Sequence, residues 1–135
     1  MSSFTCAFDP DTPTGCPPCD ANQEERTIFR CVDSPAAQED DFASDISANR
    51  RYADPDNCMS WGCSVWADEK DVLLALKLFK PFKKKNIVSG DIAEEDGALL
   101  NTPSNNQPGH FTYWKADGVS VASKFTLFMQ KGVKV

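Results

Sequence analysis

"GCSVWADEKDVLLALKLFKPF", residues 62–82, changes its hydrophobic period partway along, and that change sets the fold class. Residues 62–67 are compact β-formers and read as a strand. From Asp68 onward, Val72, Ala75, Leu76 and Phe79 follow the i, i+3, i+4, i+7 spacing of one helical face. Leu73 and Leu78 widen that face, so the helix predicted over 68–80 is the main buried helix. Asp68 can cap its start. Glu69 and Asp71 complement the positive end of the helix dipole, Lys77 and Lys80 the negative end, and Pro81 stops it.

Strands flank this unit on both sides. Upstream, "RTIFRCV" (26–32) alternates roughly and reads as the first strand. Downstream, "NIVSGDI" (86–92), "GALLNTP" (97–103), "HFTYWKA" (110–116) and "KFTLFMQ" (124–130) are four more, separated by turn-rich pieces. Between the first strand and residue 62, Ser34 and Pro35 match an N-cap and a first helical position. Glu39, Asp40 and Asp41 suit an early turn, and Phe42 and Ile46 lie four apart. Together they predict a short acidic helix over 34–46. Residues 1–25 hold four of the nine prolines and almost no apolar periodicity, which predicts an irregular Pro- and Cys-rich arm. Strands that outnumber helices and close in a run indicate α+β, with a mostly antiparallel sheet.

A chain of 135 residues fits a single domain spanning 1–135. At this size roughly two-thirds of the unfolded surface is buried, enough for a core without metal or cross-links. The net charge is −6, with residues 1–60 at −8 and residues 61–135 at +2. That balance gives no general pull toward polyanions, so no nucleic-acid partner is expected. The local exception is the cluster Lys80, Lys83, Lys84 and Lys85, read as a solvated helix end. No apolar run approaches the ~20 residues of a membrane helix, so no membrane association is expected. The opening "MSSFTCAFDP" lacks a basic region followed by an apolar stretch. The expectation is therefore a cytoplasmic protein with reduced thiols.

All six cysteines lie in the first 63 residues: Cys6, Cys16, Cys19, Cys31, Cys58 and Cys63. Cys16 and Cys19 form a Cys-Pro-Pro-Cys. A redox site would need Cys16 at a helix N-terminus after a strand. Here "DPDTPT" precedes it and the acidic "DANQEERT" follows. A zinc site would add Cys31, or Cys58 and Cys63, to the pair, but Cys58 and Cys63 do not make a second CxxC. The reading preferred is reduced structural thiols, with no disulfide, no bound metal and no cofactor.

Chemistry is sought elsewhere. His110, the sole histidine, opens an aromatic strand after "NNQPG" and could serve as an acid, base or orienting donor. Arg30 lies between Phe29 and Cys31 in the first strand and wants a fixed partner such as a phosphate or carboxylate. Tyr113 and Trp114 point to opposite strand faces, so one of them can line a pocket. Ser64, in "GCSVW", has no nucleophile-elbow pattern around it, so catalytic serine chemistry is not expected there. No P-loop or dinucleotide glycine motif is present.

The order of "IFRCV", "DDF", "GCSVW" with its Ala/Leu-rich helix, and "TPS" through "HFTYW" resembles small, mostly uncharacterised bacterial proteins over roughly residues 26–128. It is also similar to the ADP-ribosyltransferase-like fold, which includes RES-type NAD-cleaving toxins and RNA phosphotransferases. That resemblance implies that Arg30 and Ser64 hold an NAD-derived moiety, with His110 or Tyr113 lining the same cleft. On the late strand, where that fold places a catalytic Glu, "KFTLFMQ" offers only Gln130. The expectation is a nucleotide-like or other anionic small ligand in a cleft bounded by Arg30, Ser64, His110 and Tyr113, with turnover left open. The alternative is a non-enzymatic protein-interaction module whose N-terminal cysteines clamp zinc.

Overall fold

The computed structural model describes residues 4–79, 84–104 and 106–131. Its strands are β1 (Arg26–Val32), β2 (Cys63–Trp66), β3 (Asn86–Ile92), β4 (Gly97–Asn101), β5 (His110–Lys115) and β6 (Phe125–Met129), with one helix, α1 (Glu69–Leu78). They build one sheet in the order β4-β5-β2-β1-β3-β6. Every neighbouring pair runs antiparallel. The architecture is α+β, as the periodicities predict.

Strand alternation assigns two faces. On one, Phe29, Cys31, Trp66 and Ile87 are packed by Val72, Ala75 and Leu76 of α1. On the other, Ile28, Val32, Val65, Val88 and Tyr113 form the larger core, with Phe42 and Val121 packed among them. The arm covers a separate part of the helix-bearing face. There Ala21, Ala98 and Trp114 meet Phe8 of the arm and Met59 and Trp61 of the 3-10 turn Cys58–Trp61.

Helix α1 begins where the sequence placed it, with the Asp68 side chain accepting from the Lys70 N–H at 3.0 Å. It ends at Leu78, because Phe79 is already extended (φ −119°, ψ 110°). The expected stop at Pro81 lies outside the described residues, as do Lys80 and Lys83 of the lysine cluster.

The short acidic helix expected over 34–46 is corrected to a single 3-10 turn, Glu39–Phe42. Its acids serve other segments. The Glu39 carboxylate accepts from the Val121 and Ala122 N–H groups at 3.0 and 2.7 Å. Asp41 accepts from the Gln38 N–H at 2.8 Å. Ala43 is extended, and the Asp45 and Ile46 N–H groups then bond to Gly62 and Ser60 carbonyls. Long-range bonds displace the local helix here, since an acid used by a distant segment no longer favours its own helix.

The thiol expectation is corrected as well. Cys16 and Cys58 form a disulfide that ties the arm to the Cys58–Trp61 turn. Cys31 and Cys63 are buried within strands, while Cys19 is exposed. Burial pushes the Cys31 thiol up to about 11 and the Cys63 thiol in the same direction. No three metal-ligating side chains converge among the described residues. Nor does any described helix have the length and apolarity to cross a membrane.

Candidate functional site

β5 begins at His110, which stands opposite Trp66, and Thr112 stands opposite Ser64. Ser64, Trp66, His110 and Thr112 therefore share the helix-bearing face. The two apolar covers of that face leave a polar strip between them. α1 lies over β2, β1 and β3, and the arm lies over β4 and β5. The strip is floored by Ser64 and His110, both part-exposed, and by the buried Thr112.

The bonding in this seam is directional. Ser64 Oγ lies 2.8 Å from His110 Nε2. His110 Nδ1 lies 2.8 Å from the Thr102 carbonyl oxygen. A carbonyl only accepts, so Nδ1 carries the proton and Nε2 accepts from the Ser64 hydroxyl. Thr102 Oγ1 sits 3.0 Å from Nδ1 and 2.8 Å from Thr112 Oγ1, which closes the network. Trp66 meets the imidazole edge-on at 5.6 Å between centroids, and its indole N–H donates to Gln107 at 3.0 Å. Burial, the largest influence, holds the His110 pKa below the ordinary histidine value. The Thr102 hydrogen bond and Asp45 oppose that shift, and Arg30 adds to it.

The helix end of the seam is set by a close approach. A Cβ on Gly109 would stand 2.1 Å from the Asp71 carboxylate oxygen and 2.5 Å from Asp71 Cβ. Only a glycine lets the turn before His110 lie against the first turn of α1 in this way.

Of the residues singled out from sequence, the structure brings Ser64 and His110 into contact. Arg30 leaves β1 on the opposite face, level with Val88. Its Nε–H donates to the Asp41 carbonyl at 2.9 Å and its Nη1–H to the Ser64 carbonyl at 2.7 Å. β1 and β2 share a single registered pair, Phe29 with Trp66, and Arg30 supplies a bond where that ladder opens. Its partners are thus main-chain oxygens rather than a phosphate or carboxylate. Ser64 touches both residues, giving its carbonyl to Arg30 and its hydroxyl to His110. Tyr113 is fully buried on the Arg30 face, and its hydroxyl donates to the Asp96 carbonyl at 2.6 Å. Burial raises its pKa.

Thr102 was not singled out from sequence. Its signal was the turn-rich stretch between "GALLNTP" and "HFTYWKA", which reads as a hairpin and pairs the Thr102 N–H with the His110 carbonyl at 3.0 Å. A cavity of about 260 Å³ lies away from the seam, beyond the Gly62 end of β2. Asp9, Glu39, Asp40 and Asp117 line it with Lys115, a charge balance that disfavours an anion.

No protein-family model, curated protein or solved structure matches the chain.

Proposed function

We propose that the domain binds a small polar ligand in the seam between α1 and the arm, held by Ser64 and His110. The observation that carries this reading is the 2.8 Å Ser64–His110 contact on a part-exposed polar strip between two apolar covers. A few convergent polar groups flanked by apolar walls are what a small-molecule site requires. Arg30 lies beneath Ser64 and its charge is felt at His110. Asp45 opposes that charge, so the choice of ligand class rests on the resemblance to the ADP-ribosyltransferase-like fold, which makes nucleotides and related anions the first class to try.

Calorimetric titration with NAD, ADP-ribose and inorganic phosphate tests the reading, repeated on Ser64→Ala and His110→Gln. The expected result is saturable binding of at least one of these, weakened in both variants. Binding that both variants retain unchanged would place the ligand elsewhere. Absence of heat with all three would remove the anionic class.

A protein-interaction reading that rests on β6, and not on the N-terminal cysteines, has its own support. β6 is an edge strand, and its Leu127 and Phe128 are exposed. Such an edge offers unpaired main-chain groups to a partner strand.

A further inference from the structure

We propose that Ser64 is a covalent nucleophile, activated by His110 as general base, and that the seam turns over a small carboxylic ester. This deepens the ligand-site reading and rests on it for the location of the substrate.

The geometry supplies the three parts that an activated nucleophile needs: a hydroxyl, a base within hydrogen-bond reach, and a third group that orients the base. Ser64 Oγ is 2.8 Å from Nε2, inside the range for proton transfer. The Thr102 carbonyl fixes the imidazole through Nδ1 at 2.8 Å, so the lone pair of Nε2 faces Ser64. That fixation comes from the main chain of the β4–β5 hairpin, which the Thr102 N–H to His110 carbonyl bond holds in register. On the opposite side of β2, Arg30 bonds the Ser64 carbonyl and fixes the backbone that carries the hydroxyl. Arg30 is therefore a positioning residue. Edge-on Trp66 limits rotation of the ring. Both reacting side chains are part-exposed.

The step balances without an outside oxidant or reductant. Ser64 Oγ bonds to the acyl carbon as its proton passes to Nε2. The tetrahedral adduct collapses, the ester C–O bond breaks, and the leaving alcohol takes the proton from Nε2. Water then repeats the sequence, releasing the carboxylic acid and restoring Ser64. The base is needed in its neutral form. The charged groups around it are Arg30 from β1, Asp45 from the loop after the 3-10 turn, and Asp71 of α1 against Gly109. Burial lowers the imidazole pKa, which favours that neutral form. The reaction rate should therefore rise with pH through a midpoint below the ordinary 6.5.

The test is labelling of the full chain with a fluorophosphonate probe, located by peptide mass spectrometry, alongside hydrolysis of p-nitrophenyl acetate. The expected result is one adduct, on Ser64. It should be absent in Ser64→Ala and slowed about 100-fold or more in His110→Gln. Circular dichroism confirms that each variant is folded, and Ser64→Gly, which also lacks the hydroxyl, provides a second variant should Ser64→Ala misfold. No adduct on Ser64, or an adduct formed equally fast in folded His110→Gln, overturns the proposal. Adduct formation without any titration heat from nucleotides or phosphate removes the anionic-ligand reading and leaves the nucleophile. Titration heat without an adduct does the reverse.

Discussion

Arg30 shows how one side chain can stand in for a length of strand pairing. The β1–β2 ladder opens after Phe29–Trp66, and the guanidinium spans the gap to the carbonyls of Asp41 and Ser64. Removing it in Arg30→Ala leaves two part-buried acceptors short of a partner. The expected loss is about 1–3 kcal/mol in urea unfolding. Arg30→Lys should recover only part of it, because an ammonium lacks the planar fork. The residue's oddity was legible, since an Arg between Phe29 and Cys31 demands a partner. The partner was not, because main-chain oxygens carry no sequence signal, and only the β1–β2 pairing and the Glu39–Phe42 turn bring Ser64 and Asp41 to it. Ser64 and His110 were each singled out too. Their contact spans 46 positions and depends on β2 pairing with β5, which neither local sequence states.

At the level of elements, periodicity was readable wherever packing follows it. α1 displays its i, i+3, i+4 stripe, and Val72, Ala75 and Leu76 are buried under it. Leu76 is 5% exposed, so Leu76→Ala should cost about 2–5 kcal/mol in urea unfolding with the transition still cooperative. A loss under about 1 kcal/mol would contradict that burial. The strands read well for the same reason: β1 and β3 fall on the residues their alternation picks out. The segment 34–46 did not, although its acids and Ser34-Pro35 are good helix signals. Glu39 bonds Val121 and Ala122, more than eighty positions away, and that pull is invisible in a local window.

Across the whole molecule, the arm is held by several kinds of contact. Asn22 bridges to Leu99 on β4, the Asp117 N–H bonds the Ala7 carbonyl, and Cys16 is bonded to Cys58. Cysteine spacing alone could not reveal that pairing, because it joins an irregular segment to a turn 42 positions on. Denatured, unreduced protein should take up four alkyl groups, on Cys6, Cys19, Cys31 and Cys63. Reduction should then lower stability by about 2–4 kcal/mol, read as a drop in Tm with dithiothreitol. Uptake of six groups before reduction would show the bond unformed.

The opening between β1 and β2 has a consequence for motion. β4, β5 and β2 are laddered together, and so are β1, β3 and β6 with a register shift between Ile87 and Val88, but the backbones of the two trios meet at one registered pair beside the Arg30 guanidinium. The sheet is therefore two half-sheets with a fault line, bridged from above by α1, which packs on both. Opening along that line breaks few main-chain bonds, and what resists it is the core that Ile28 and Val32 share with Val65 and Tyr113. Ser64 stands on the line itself, with its carbonyl facing one half and its hydroxyl bound to the other.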